Sequence, residues 1–442
     1  MKKRMMAFLK WAGMGIVALA IVYAVLLGLA NRKLRQAYAA LEADGRPMRP
    51  EQVIPPAIPD SDNAALVYQA VVLQLRAEPG DDAKTSLFDR MQQQAMVVEQ
   101  AEVSSNTLAA FRQLSQRKAV VDALQKLEVG SAKPGCRYDL DYNLGVDMPI
   151  KHIQDASDIN HILRGLILLQ AADGNIGAAW NAVLTALRMA DAWKAEPLLI
   201  SQLYRVGQIE RITDVIRRLC DSAPPTSDQA AQLDELLRKF DDNTPLIRAI
   251  DGERIIYLEP LLAETDLARR LKTSHITPFV MWIFARVTIS FQFDHAASLN
   301  MCHAAANSAG QGYSTADDAR DATPYYCWMT RTLRPSFSAA KKRHIAMIAE
   351  SRITRAGLAV LRYRAQQGHY PPDLAAVNMQ NLVDPFTGKA LIYRADTTGF
   401  TVYSAGPNQR DDNGVSDRYK GLDDIAWHFA EKKETTAPLQ NQ

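Results

Sequence analysis

The sequence predicts a mainly α-helical protein with an N-terminal transmembrane helix, an irregular α-helical domain and a small α+β module at the C-terminal end. Three observations carry this. Residues 11–30 form an uncharged run of twenty. Apolar residues recur at helical spacing through most of residues 61–340. Two short runs rich in β-branched and aromatic residues, 390–394 and 400–404, flank Asp396-Thr397-Thr398-Gly399 and read as an antiparallel hairpin.

The first segment, 1–43, reads as a membrane anchor. Twenty residues at about 1.5 Å each reach roughly 30 Å, the thickness of a bilayer core. Lys2, Lys3, Arg4 and Lys10 precede the run, and Arg32, Lys33 and Arg35 follow it. Flanks this similar give only a weak orientation bias. Gly28-Leu29-Ala30 offers small residues to a signal peptidase, yet the run exceeds the usual core of about 7–15 residues. An uncleaved signal anchor is expected, crossing the inner membrane once, with the bulk of the chain extracytoplasmic. Residues 31–43 continue as helix. Residues 44–60 hold Pro47, Pro50, Pro55, Pro56 and Pro59 and read as a spacer, because proline removes donors and fixes φ.

The α-helical domain is expected over 61–340. Asp60-Ser61-Asp62-Asn63 offers a helix cap before Ala64. Between His161 and Trp193, two apolar faces are separated by Asp173-Gly174-Asn175, which reads as a helix pair joined by a glycine turn. The pair is loosely like a tetratricopeptide unit, but no 34-residue period recurs, so an irregular bundle is favoured over a repeat. Pro224-Pro225-Thr226-Ser227-Asp228 marks a stop and restart, with Ser227 or Asp228 as the cap. Residues 277–293 are apolar but interrupted by Arg286, and read as a core segment or an amphipathic piece on the membrane. Residues 305–325 read as loop. Lys341-Lys342-Arg343 reads as a solvated helix start or linker, followed by a helix over 344–367 with Ile345, Ala349, Ile353, Ala356 and Val360 on one stripe. Gly368 sits where a left-handed cap is needed.

The composition excludes several function classes. With 51 basic and 49 acidic residues the net charge is +2, and no basic stripe suggests nucleic acid. Cys136, Cys220, Cys302 and Cys327 include no CxxC, which argues against zinc. Cys302 and Cys327 are open to two readings, a bridge or buried thiols. No P-loop, GxSxG, HExxH or dinucleotide fingerprint occurs. His275, His295, His303, Asp294 and Cys302 form the one polar group to test for hydrolase chemistry. Glu253 and Arg254 read as a helix ion pair.

The module over 341–430 carries the most specific pattern: Gly368-His369-Tyr370-Pro371, then Asp384-Pro385-Phe386-Thr387-Gly388, then Ser404-Ala405-Gly406-Pro407-Asn408, then Asp423-Asp424-Ile425-Ala426-Trp427. In this order the motifs resemble the periplasmic part of the major pseudopilin of type II secretion systems. Phe386 replaces a Trp of that pattern with one extra residue, Asn408 replaces an Asp, and Trp427 comes one residue early. The resemblance implies a calcium site. Asn408, Asp423 and Asp424 would give side-chain oxygens, and the carbonyls of Ala405 and Arg410 part of the shell. Asp411, Asp412 and Asp417 lie in an insertion, where one of them would replace the charge missing at Asn408. Irregular oxygen-rich loops suit calcium, which takes six to eight ligands. Read without the resemblance, Asp411-Asp412-Asn413-Gly414 is equally a turn, and Asp424 a cap for a helix starting at Ile425.

No Phe-Thr-Leu-Ile-Glu run, the start of the pseudopilin N-terminal helix, occurs near Trp11, so filament assembly is not implied. The expectation is a non-catalytic envelope protein, structurally stabilised by calcium, with membrane contact through 11–30 and partners among envelope or secretion proteins. The alternatives are a helical protein-binding scaffold and a hydrolase at His295/His303. A tail over 431–442 is expected to be disordered.

Overall fold

The computed structural model describes residues 2–80, 84–99, 104–262, 289–314, 323–333, 336–417 and 420–431. His275, most of the apolar run 277–293, part of the expected loop 305–325 and all but the first residue of the expected tail lie outside the described residues.

The fold is mainly helical with a small β part near the C-terminal end, as the sequence predicts. Helix α1 runs unbroken over Lys2–Ala43, joining the apolar run 11–30 to residues 31–43. After two 3-10 turns, α2 (Ala64–Ala77) starts where Asn63 accepts a hydrogen bond from the backbone N–H of Ala65 at 3.1 Å. Ser86 and Ser104 do the same for α3 (Leu87–Val98) and α4 (Ser105–Ser115). These side chains satisfy donors that a helix start leaves free. Helix α5 (Lys118–Ser131) packs against α2.

The expected helix pair is present as α6 (Lys151–Ala172) and α7 (Ile176–Asp191), with Gly174 at φ +77° in the turn between them. Helices α8 (Leu199–Cys220) and α9 (Ser227–Arg238) complete this layer. The α9 cap is Thr226, which forms a capping box with Gln229, one residue before the expected Ser227 or Asp228. Helix α10 (Thr244–Gly252) continues through a π-helical turn at Glu253–Leu258 into α11 (Glu259–Leu262). Helix α12 (Ile289–Ala309) packs along the C-terminal part of α1 and on α10. Residues 305–309, expected as loop, are therefore its last turn. A short helix α13 (Trp328–Leu333) follows.

Helix α14 (Phe337–Gln367) begins seven residues earlier than the apolar stripe alone suggests and ends at Gly368, φ +78°. Lys341 is not solvated. Its Nζ donates to Ser308 Oγ at 2.8 Å and to the Gly312 carbonyl at 3.1 Å, and it is buried. The expected stripe is buried throughout. The basic faces are paired with acids of other elements: Arg352 with Asp241, Arg355 with Asp234, and Arg364 with Glu431.

Strands β1 (Ile392–Ala395) and β2 (Gly399–Ser404) form the expected hairpin, with Tyr393 opposite Val402. The third strand of this sheet, β5 (Ile425–Ala430), pairs antiparallel with β2 and sets Val402 opposite Trp427. The helix start considered at Ile425 is thus a strand, consistent with alternating burial of its aromatic residues on a sheet face. Between them, β3 (Ser416–Asp417) and β4 (Leu422–Asp423) make a two-stranded ladder.

Helix α14 lies between the two parts. It packs on α8 and α9 and also on β2 and β5. One apolar core accordingly runs from Tyr68 and Phe111 through Leu187 and Ile209 to Val402 and Trp427, across the 340/341 boundary. The proline-rich stretch 44–60 is pinned to this body. Arg46 bridges to Asp251 at 2.8 Å, Arg254 donates to the Pro47 carbonyl, and Val53 is buried.

Candidate functional site: the acidic loop beside the sheet

The C-terminal sheet is fixed to its loops by two buried carboxylates. Asp384 lies in the turn before β1 and is 2% exposed. Its Oδ1 accepts from the Phe386 N–H at 2.9 Å and from Ser404 Oγ at 2.7 Å. Its Oδ2 accepts from Thr387 Oγ1 at 2.9 Å and from the Ala405 N–H at 3.2 Å. A carboxylate with four donors is well satisfied in a buried site. In the sequence Asp384 stands out only as a motif residue. The signal available was the Asp-Pro-x-Thr-Gly turn itself, in which an Asp side chain caps the amide two residues on.

Asp424 is the second, also 2% exposed. Its Oδ2 accepts from the N–H groups of Asp412 at 3.0 Å and Gly414 at 2.7 Å, which folds the loop back onto the start of β5. Its Oδ1 is buried with no hydrogen-bond partner. Neighbouring Asp423 accepts from the Asn408 N–H at 3.1 Å through Oδ1. Asp412 Oδ2 accepts from the Asp423 N–H at 3.2 Å. Burial raises the pKa of both Asp423 and Asp424, and the negative charge of Asp412 raises both further. The backbone adopts left-handed geometry at Gly406, Gln409, Asn413 and Gly414 to make these returns. At Gly406 a Cβ would meet the Asp423 carbonyl oxygen at 2.0 Å, so only glycine allows this approach.

The five residues expected around the ion divide into two groups. Asp412, Asp423 and Asp424 are linked to one another through the loop backbone. Asn408 touches that group through its N–H donors but turns its side-chain oxygen to Arg410, and Asp411 is engaged elsewhere. Asn408 Oδ1 accepts from the Arg410 N–H at 2.7 Å, and its Nδ2 donates to Asp412 Oδ2 at 2.8 Å and to the Gly421 carbonyl at 3.2 Å. The amide thus bridges two acceptors much as a small cation would. Asp411 accepts from Tyr403 OH at 2.8 Å and pairs with Arg394 at 3.2 Å, while Asp417 pairs with Lys420 at 3.2 Å. Among the described residues, no three His, Cys, Asp or Glu side chains are grouped so as to hold a metal by themselves. The orphaned Asp424 oxygen and the surplus of negative charge are the features that fit a hard cation.

The histidine region has a different geometry. His295 and His303 both lie on α12, one facing Tyr38 of α1 and the other Asp44 just after it. His295 Nε2 is 3.1 Å from Tyr38 OH, and His303 Nε2 is 2.6 Å from Asp44. Burial lowers the His295 pKa to about 4, so it is neutral near pH 7. Arg254 pairs with Glu259 and Asp251, not with Glu253 as its sequence neighbour suggests. Adjacent helical positions point about 100° apart and do not face each other. Glu253 instead is desolvated, and its pKa rises to about 7. Cys302 and Cys327 are both buried free thiols, so they are not bridged to each other.

Compared with known proteins, the chain matches no protein-family model, no curated protein and no solved structure. The functional reading therefore rests on the chain's own geometry.

Proposed function

We propose that this chain is a single-pass membrane protein whose folded body is held against the extracytoplasmic surface of the inner membrane, in a non-catalytic structural or assembly role. One observation carries the reading. The first part of α1 is long and apolar enough to cross a bilayer and is wholly unburied, while its continuation is part of the body. Trp11 is 72% and Leu19 71% exposed, whereas Ala30, Ala37 and Leu41 are buried, the last two in a cluster with Leu299 of α12. Ten large apolar residues between 11 and 29 are exposed. At about 1.5–3 kcal/mol each, leaving them in water would forgo roughly 15–30 kcal/mol. That exceeds the usual net stability of a domain, about 5–15 kcal/mol, so a lipid environment is the natural cover.

The C-terminal module, like the periplasmic part of the major pseudopilin, would carry calcium in the acidic loop. Asp424 supplies the orphaned oxygen, Asp423 and Asp412 supply nearby negative charge, and main-chain carbonyls or water complete the shell. The ion's contribution is structural: it favours the ionised form of carboxylates that burial penalises, and its binding adds to folding stability.

Orientation is tested with a C-terminal alkaline phosphatase fusion, which is active only outside the cytoplasm. The reading predicts an active fusion. An inactive fusion, with fluorescence from the matching green fluorescent protein fusion, overturns it.

A further inference from the structure

We propose that the foot of the body carries a binding site for one anionic glycerophospholipid, supplied by the leaflet from which α1 emerges. The proposal rests on the reading of α1 as a membrane span.

A cavity of about 680 Å³ lies where α1, the start of α12 and the turn before α13 meet. This is within the usual range for a small-molecule site, about 300–1,000 Å³. Its α1 wall consists of Leu26, Leu29, Lys33 and Gln36, with Arg32 beside them. Positions 26, 29, 33 and 36 recur at three- and four-residue steps and share one helix face. Over ten residues that face rises about 15 Å, enough to run from acyl chains through a headgroup. It is apolar at the end nearer the span and cationic at the other. The opposite wall is Phe293 and Tyr326. Among the described residues, none that lines the cavity is acidic.

Two further features fix the level and shape of this site. Tyr325 is 84% exposed beside Tyr326, and exposed tyrosines collect at the headgroup level of membranes. The Tyr325–Tyr326 turn is held by α13, because Asp294 of α12 accepts from the Thr330 N–H at 2.9 Å while Thr330 Oγ1 donates to the Asp294 carbonyl at 2.8 Å. The Lys33 ammonium lies 5.4 Å from the centre of the Phe293 ring, which holds it over the cavity wall. A phosphodiester between Arg32 and Lys33, with an acyl chain along Leu26 and Leu29, matches both ends of the cavity.

The test uses the full chain in nanodiscs of phosphatidylcholine containing a minor share of phosphatidylglycerol, with retained lipids counted by native mass spectrometry. The expected result is retention of one phosphatidylglycerol, enriched on the order of tenfold over its share of the bilayer, given the attraction of two cationic residues. Arg32→Gln with Lys33→Gln removes the enrichment. Leu29→Trp, which fills the cavity and keeps both charges, removes it as well. Wild-type chain that enters the bilayer without enrichment overturns this proposal and leaves the anchor reading standing. Enrichment that survives Leu29→Trp also overturns it, because general surface charge then explains the effect. A chain that fails to enter the nanodisc overturns both readings.

Discussion

Replacing Gly357 by alanine tests how the sheet is set on the body. Gly357 lies about two-thirds of the way along α14, and a Cβ there would stand 2.1 Å from both Cε3 and Cζ3 of Trp427. Trp427 is 1% exposed and has little room to retreat. Phe400 meets it edge-on at 5.6 Å between centroids, and the Arg217 guanidinium lies 5.9 Å from its ring. Two effects oppose each other. Alanine is better than glycine in a helix by about 0.8–1.0 kcal/mol. Overpacking a filled core costs about 1–3 kcal/mol, and a contact more than an ångström too short belongs near the upper end. The net expectation is destabilisation by about 1–2 kcal/mol. Gly207 in α8 is the matched control, since a Cβ there meets nothing within 4 Å. Gly207→Ala should gain about 1 kcal/mol, the propensity term alone. The two changes therefore have opposite signs in guanidinium unfolding of the detergent-solubilised full chain followed by tryptophan fluorescence. Trp427→Phe, which withdraws the clashing ring, should recover part of the Gly357→Ala loss as a favourable coupling. If Gly357→Ala proves as stable as Gly207→Ala, the helix and β5 do not meet as described, and the placement of Asp423 and Asp424 at the mouth of β5 falls with them.

Other changes probe the carboxylates and the ion. Asp384→Asn puts an amide where four donors converge and should destabilise by about 2–3 kcal/mol in the same unfolding assay; a loss under about 0.5 kcal/mol contradicts the network. Chelation should lower the unfolding midpoint of the wild-type chain and leave Asp424→Asn unmoved; equal shifts in both would place the ion elsewhere. Folding raises the pKa values of Asp423 and Asp424, so their contribution is present at low pH and lost as pH rises through their folded values. Calcium favours the ionised form, so adding it should flatten that slope, which pH-dependent melts with and without the ion would register. Glu253 behaves in the same sense: with a folded pKa of about 7 against 4.5, its stabilising contribution fades as pH rises between those values. Glu253→Gln should remove that part of the pH profile, and an unchanged profile would show that Glu253 is solvated.

Much of this architecture was legible in the sequence, and the exceptions have physical causes. The long apolar N-terminal helix, the α6–α7 pair, the Gly368 cap and the β1–β2 hairpin are set by local signals: an uncharged run, a glycine turn, a left-handed residue and alternating β-branched residues. The early start of α14 and the burial of Lys341 are tertiary effects, because Ser308 and Gly312 supply acceptors from a distant segment. Strand β5 was hidden for a similar reason. Its apolar alternation gains meaning only beside β2, and Asp424 before it mimics a helix cap. The acidic loop was found as a cluster of oxygens, but its wiring was not. Asn408 and Asp411 sit among the acids in sequence, yet both close local turns, Asn408 as a donor to Asp412 and Gly421, Asp411 as a partner of Tyr403 and Arg394. Those distinctions depend on side-chain direction, which composition and spacing do not encode.

Alkaline carbonate extraction of membranes from cells expressing the full chain tests most directly whether α1 is a bilayer span. The account predicts that the chain stays in the membrane pellet and that Leu19→Arg with Val22→Arg releases it to the supernatant. Recovery of the unaltered chain in the supernatant, at its full mass, would contradict it.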